Sequence, residues 1–370
     1  MGPQGPQGIG IGRAVFSLTK LDTAGDVGAT SSVAIGVDGL ALISYYDSTN
    51  SDLKAAHCSN IACTTATISS IDTVGIVGGY SSVAIGADGL GLIGYYDGLN
   101  EHLKVAHCSN IECTTATNYT LDPTSFVGWH ISVTIGGDGL GLISYYDYMN
   151  SDLKVAHCSD TLCTVGTLSV LDTTGTVGLD TSLTIGADGL GLISYYDQTN
   201  GDLKVAHCSN AACTAATLSA IDASNDVGRF TSVTIGVDGR GLISYTDWTN
   251  GDLKVAHCLS VTCTTAAISA LDTAGIVGYY TSLAIGADGL GLISYYHVES
   301  FVLKVAHCSD IACTAATLSV VDSAGAVGWR TFLTIGVDGF GLISYYDSTN
   351  DDLKVAHLSN VFGIPYVRFR

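Results

Sequence analysis

The chain is built from short apolar runs that do not alternate cleanly with polar residues. "LGLISYYD" (Leu140 to Asp147) and "LKVAHC" (Leu153 to Cys158) are typical, and polar or glycine-containing turns separate such runs throughout. Runs of this length rich in Val, Ile, Thr and Tyr are strand chemistry, and an Asp-Gly between two of them marks a tight hairpin. The frequent breakers leave no room for helices. Weak alternation predicts strands covered on both faces.

The pattern repeats. "IGVDGLALISYYDSTNSDLKAAHC" begins at Ile35, and near-copies begin at Ile85, Ile135, Ile185, Ile235, Ile285 and Ile335, every 50 residues. In the first unit, strand A is expected near Ser32 to Val37, a turn at Asp38-Gly39, and strand B near Leu40 to Tyr46. After a turn at Asp47 to Asp52, strand C runs near Leu53 to Cys58 and strand D near Thr65 to Ile71. Four antiparallel strands repeated seven times predict an all-β, seven-bladed β-propeller over residues 13–370.

Residues 13–28, "RAVFSLTKLDTAGDVG", match strand D and its exit loop yet precede the first strand A, so they are expected to complete the seventh blade. The tail "IPYVRFR" offers a second candidate in the same register; Pro365 suits it better to an added edge strand.

Cysteine spacing adds a constraint. Six Cys-x4-Cys pairs bracket the C-D turns: Cys58 with Cys63, Cys108 with Cys113, Cys158 with Cys163, Cys208 with Cys213, Cys258 with Cys263, and Cys308 with Cys313. The seventh unit replaces both members, with Leu358 and Gly363. Paired loss implies a disulfide within each of the other six blades, and hence an extracellular, cell-surface or virion-surface location. Zinc is disfavoured: each pair offers two ligands, and the adjacent His57 points to the opposite strand face. No metal or other cofactor is expected. A net charge of −20 with only 14 Lys and Arg argues against nucleic acid, and no apolar run is long enough to span a bilayer. No basic-then-apolar signal segment opens the chain, which fits a fragment, a mature form or a virion protein oxidised after release.

His57, Lys54 and Asp22 each recur in every unit, which suits scaffold ties better than catalysis. Asp47, Asn50 and Asp52 offer oxygens to a cation, although such residues more often cap their own turn. The residues that differ between units are more informative. One pair follows each "VG": Ala29-Thr30, Gly79-Tyr80, Trp129-His130, Leu179-Asp180, Arg229-Phe230, Tyr279-Tyr280 and Trp329-Arg330. A second variable position, in the B-C turn, includes Tyr148 and Trp248. In a four-stranded meander the D-A crossings and B-C turns share one face of the ring. That face therefore gathers Tyr80, Trp129, His130, Tyr148, Asp180, Arg229, Phe230, Trp248, Tyr279, Tyr280, Trp329 and Arg330, including all three Trp of the chain. Aromatic residues on loops of a rigid scaffold indicate binding.

These residues predict a non-enzymatic recognition module for a glycan or cell-surface receptor. A glycan hydrolase is the second expectation and a self-assembling structural ring the third. The repeats resemble the seven-bladed propellers of near-identical units found in bacterial extracellular proteins. "IGADGLGLISYYD" loosely resembles the Asp-box of sialidase-like propellers, but its Asp and Gly are adjacent, and two arginines on the face cannot form a three-arginine clamp. Residues 1–12, "MGPQGPQGIGIG", read either as a flexible leader or as the end of a collagen-like stalk, which their two Gly-Pro-Gln triplets resemble and which would imply a homotrimer.

Overall fold

The computed structural model describes residues 15–360, which form 28 strands, β1 to β28, arranged as seven four-stranded antiparallel sheets. The described residues contain no helix. In the first sheet β2 (Val27–Ile35), β3 (Ala41–Asp47), β4 (Asp52–Cys58) and β5 (Ala66–Asp72) lie in chain order. The first strand of each sheet touches the first strand of both neighbouring sheets, so these inner strands enclose a central axis. The leader at residues 1–12, the "IPYVRFR" tail and Gly363 lie outside the described residues.

Closure uses the N-terminal strand. β1 (Val15–Asp22) pairs antiparallel with β28 (Asp352–Asn360), aligning Leu18 with Ala356 and Lys20 with Lys354. The seventh sheet is thus β1-β28-β27-β26, with β27 at Gly341–Asp347 and β26 at Val327–Ile335. The ring is joined by strands from opposite ends of the chain, so it closes only when the first and last segments meet.

All six expected disulfides are present, with Cα atoms 4.8 to 4.9 Å apart. They join Cys58 to Cys63, Cys108 to Cys113, Cys158 to Cys163, Cys208 to Cys213, Cys258 to Cys263, and Cys308 to Cys313. The two members of a pair are placed differently, which the bracketing spacing did not foretell. Cys58 ends β4, whereas Cys63 sits inside the turn, three residues before β5 begins. The backbone there is left-handed: Cys63, Cys113, Cys163, Cys213, Cys263 and Cys313 have φ between 47° and 55°. That twist folds the turn back, with the Cys63 N–H donating to the Asn60 carbonyl at 2.9 Å, so the second cysteine faces the end of the strand it left. The seventh blade fills the space of the first cysteine with Leu358, fully buried in a cluster that also holds Phe16. An apolar contact there takes the place of the cross-link.

Each unit buries Val, Ile, Leu and one Tyr between adjacent sheets. Polar contacts tie the same seams. The backbone N–H of Val83 donates to Ser32 Oγ at 3.1 Å, and the same contact recurs from sheet to sheet until Phe332 replaces the serine. Ser44 and Ser81 pair their hydroxyls across the first seam at 3.1 Å. At the next seam both hydroxyls are gone together: Gly94 faces Ile131, whose methyl would lie 3.0 Å from a Cβ built on the glycine. A matched change of volume keeps that seam packed while removing two polar groups that would otherwise need each other.

The observed inner strand begins earlier than its sequence pattern suggests, at Val27 rather than near Ser32. The cause is a bulge. Pairing in the third blade jumps from Trp129↔Tyr146 to Ser132↔Ser144, leaving an unpaired stretch within the strand that breaks the alternation.

Candidate functional site

The bulge decides where the variable residues go. The second member of each variable pair adopts a left-handed backbone: Thr30, Tyr80, His130, Asp180, Phe230, Tyr280 and Arg330 all have φ between 50° and 54°. Because the inner strands surround the axis, these seven side chains form one ring at the channel mouth. With the residues that follow them they line a cavity of about 180 Å³. The variable pair therefore lies inside the strand, not at the end of a loop as the sequence suggested.

The ring is asymmetric and internally connected. Tyr80 and His130 have ring centroids 5.1 Å apart, and His130 Nδ1 lies 3.0 Å from Asp180 Oδ1. Asp180 Oδ2 accepts the backbone N–H of Phe230 at 2.9 Å. Burial pushes the Asp180 carboxyl upward, but His130, the Phe230 N–H and the Arg229 charge outweigh it and hold the group below the ordinary carboxylate range. Phe230 meets Tyr280 at 4.4 Å. Arg330 lies within 6 Å of two rings, 5.8 Å from Tyr280 and 5.7 Å from Tyr80, spanning the short Thr30 between them.

The first member of each pair and the B-C turns form an outer rim with two aromatic tracts. In one, Trp129 stacks on Tyr80 at 5.6 Å and on Tyr148 at 4.7 Å, with Tyr96 at its edge. In the other, Trp248, Tyr279, Phe230, Tyr280 and Trp329 follow one another at centroid spacings of 4.4 to 5.5 Å, with Tyr296 against Trp329. Tyr148, Trp248 and Trp329 remain exposed at 52%, 41% and 39%. Blade four, with Leu179 and Asp180, interrupts the aromatic surface between them.

All twelve residues singled out in the sequence lie on this face: Tyr80, His130, Asp180, Phe230, Tyr280 and Arg330 at the mouth, Trp129, Tyr148, Arg229, Trp248, Tyr279 and Trp329 on the rim. Arg229 is already engaged. Its guanidinium stacks 4.1 Å from the Trp248 ring centroid, donates to Asp226 Oδ2 at 3.1 Å and reaches Tyr196 Oη at 3.3 Å. These contacts hold the guanidinium against the Trp248 ring. Sequence reading missed Tyr96, Tyr196 and Tyr296, which recur in most units and so look like scaffold; the one signal against that was Thr246 at the same position.

The repeated polar residues do form ties. Every Lys54-type ammonium contacts the Asp22-type carboxylate of the neighbouring blade. In the third blade Lys154 Nζ is 2.6 Å from Asp122, and Tyr145 Oη donates to the same carboxylate at 2.7 Å. His57 Nε2 lies 3.0 Å from Asp38 Oδ2 at the A-B turn, and the other six blades repeat the pair. Asp47 caps its own turn, accepting from the backbone N–H and the side-chain amide of Asn50 at 3.0 and 2.9 Å.

No known protein family and no curated protein matches the sequence. The fold is similar to Kuenenia stuttgartiensis hydrazine synthase, with 12% identity, a TM-score of 0.62, and coverage of 91% of this chain and 97% of that one. It is also similar to the α-L-arabinofuranosidase Arb93A of Fusarium graminearum, with 11% identity, a TM-score of 0.55, and coverage of 95% and 99%. A third likeness is to the dihydro-heme d1 dehydrogenase NirN, with 11% identity, a TM-score of 0.53, and coverage of 88% and 66%. At such identities the likeness is one of fold, and the fold hosts enzymes of unrelated chemistry.

Proposed function

We propose that this chain is a non-enzymatic extracellular recognition module that binds a carbohydrate, free or carried by a cell-surface receptor, across the channel mouth and the aromatic rim. The observation that carries the reading is the ring of left-handed residues. That conformation costs a residue with a Cβ about 1–2 kcal/mol and costs glycine almost nothing. The chain has 45 glycines, yet none occupies the ring in seven chances. At the left-handed position of the B-C turn, by contrast, glycine appears twice, as Gly201 and Gly251, beside Ser51, Glu101, Ser151, Phe301 and Asp351. The second cysteines are left-handed for a known reason, the disulfide, and the seventh unit, which lacks the pair, carries Gly363 at that position in its sequence. Side chains at the mouth are likewise retained against a backbone cost, and they differ from blade to blade. Backbone strain of this kind clusters at ligand sites.

The chemistry suits sugars. Exposed Trp248, Trp329 and Tyr148 offer flat faces to the C–H surfaces of a pyranose, and neighbours hold each ring in place, so little entropy is lost on contact. Glycoside hydrolysis ordinarily needs two carboxyl groups flanking the bond, one of them a ready acid. The cavity lining contributes one, Asp180, whose proton affinity is lowered. This favours binding over turnover. Six disulfides fit an extracellular setting.

A glycan array with the intact chain tests the reading, followed by calorimetry on any hit. Replacing Trp129, Trp248 and Trp329 together by Ala should leave the melting transition cooperative and weaken binding by roughly a hundredfold, since each buried aromatic contact is worth about 1 kcal/mol or more. Undiminished binding by a folded triple variant would move the site off this face.

A further inference from the structure

We infer that the channel mouth takes an acidic sugar unit, with Arg330 as the group that receives its carboxylate. The inference rests on the carbohydrate-binding reading of this face and adds the ligand class.

Among the described residues, every Lys and Arg but one lies within 4.0 Å of a carboxylate. Lys20 pairs with Asp352 at 2.7 Å, and each once-per-blade lysine contacts its seam aspartate. Arg229 pairs with Asp226 at 3.1 Å and Arg240 approaches Asp238 at 3.9 Å. Among the described residues, Arg330 is the Lys or Arg side chain left with no carboxylate within 4.0 Å. In a chain carrying 34 Asp and Glu against 14 Lys and Arg, an uncompensated guanidinium is unlike its surroundings.

Its placement points the same way. Arg330 is part of the cavity lining and lies near the rings of Tyr80 and Tyr280. Such flanking, together with a hydrogen bond to Tyr80, restrains a long side chain whose planar fork carries further donors for a bidentate acceptor. Beside it, the Thr30 hydroxyl is buried with no hydrogen-bond partner among the described residues. Across the mouth, His130 and Asp180 form a polar pair able to exchange hydrogen bonds with sugar hydroxyls. The cavity, about 180 Å³, is smaller than a typical drug-sized pocket and suits one terminal unit rather than a chain. A terminal sugar bearing a carboxylate would place its charge on Arg330, with the rest of the glycan lying outward over the rim aromatics.

The test compares matched probes at physiological salt: galacturonic-acid-terminated against galactose-terminated oligosaccharides, and N-acetylneuraminic-acid-capped glycans against the uncapped parents. The wild-type chain should bind at least one acidic probe roughly tenfold more tightly than its neutral partner, the worth of a charge-assisted bidentate contact. Arg330→Gln should abolish that preference, so that acidic and neutral probes bind equally, and Arg330→Lys, which keeps the charge but not the fork, should restore it in part. Far-UV circular dichroism and the melting temperature establish that both variants are folded. Equal affinity for acidic and neutral probes, or a preference that survives Arg330→Gln, overturns this inference; if the triple Trp variant still loses neutral binding, the carbohydrate reading stands. If no probe of either kind binds, both readings fall.

Discussion

Two sets of sevenfold positions sit on the same scaffold and have opposite histories. At the seams between blades, the Asp22, Tyr45 and Lys54 types recur in all seven copies with nearly the same geometry. At the channel mouth, the same number of copies carries Thr, Tyr, His, Asp, Phe, Tyr and Arg. The seam is buried and each member needs the others: removing any one leaves a charge or hydroxyl desolvated without a partner. The mouth faces a cavity, where a change of side chain alters what is presented but strands nothing in the core. Repetition marks positions where the cost of change is structural, and diversity marks positions free to be shaped by a ligand.

The largest expected effect acts on all seams at once. Burial pushes Asp22 and its six counterparts upward, but hydrogen bonds from lysine and tyrosine and from nearby turn residues outweigh it, and all seven lie below the ordinary carboxylate range. A carboxyl depressed in the folded state contributes stability that is complete above its unfolded value, about 3.9, and is lost as the pH falls through the folded one. The slope is about 1.4 kcal/mol per pH unit for each extra proton the unfolded chain binds. Asp52, Asp152, Asp202 and Asp252 are shifted the other way by burial and a neighbouring aspartate, which offsets part of the loss. On the alkaline side, burial and the seam carboxylate raise the Tyr45-type phenols, so a second loss begins above about pH 10. Denaturant midpoints measured from pH 2 to 11 should therefore show a plateau falling at both ends by several kcal/mol. A flat acid limb would mean the seams are not the titrating ties.

A single seam gives the next effect. Asp122→Ala takes from the Lys154 ammonium, whose side chain is only 9% exposed, its 2.6 Å partner, leaving Asp147 at 3.8 Å, and removes the acceptor of Tyr145. A loss of about 3–5 kcal/mol is expected. Replacing Asp122 and Lys154 together by Leu and Met should recover much of it, because an apolar pair of similar size does not leave a charge unpaired. Urea unfolding of the two variants measures the difference. A loss under 1 kcal/mol for Asp122→Ala would place the seam's stability in its apolar packing alone.

How much of this was legible in the sequence follows the same division. The 50-residue spacing, the Asp-Gly turns and the Cys-x4-Cys pairs are signals written in the sequence itself, and they foretold four strands per blade, the closure by the segment at residues 13–28 and all six disulfides. The seam was half legible: repetition marked Lys54 and Asp22 as scaffold, but they are 32 residues apart and belong to different blades, so nothing local showed that they meet. The bulge was not legible. A left-handed residue usually announces itself as glycine or asparagine, and here the position holds Thr, Phe or Tyr, so the variable pair looked like the end of a loop. The left-handed turn at Cys63 escaped notice for the same reason, although Gly363 in the seventh unit was a local hint of it. The engagement of Arg229 by Asp226, three residues earlier, was hidden because it depends on how the bulge turns the chain.

The smallest effect tests the strain itself, at the ring position that does least for its neighbours. Thr30 is β-branched, has φ 54°, and carries a buried hydroxyl with no partner among the described residues. Thr30→Gly removes the left-handed penalty of about 1–2 kcal/mol and the unpaired hydroxyl. Against this stands the greater freedom of glycine in the unfolded chain, about 0.5–1 kcal/mol. The balance favours the variant by about 1 kcal/mol, read as a higher denaturant midpoint with an unchanged slope. A single seam substitution such as Asp122→Ala should lose stability instead, because the aspartate, lysine and tyrosine of each seam are partners to one another. If Thr30→Gly instead destabilises the chain, the ring is held by contacts that favour those side chains for folding, and the absence of glycine from the mouth ceases to argue for a ligand. If it stabilises the chain and weakens glycan binding together, the ring carries a stability cost that only function explains.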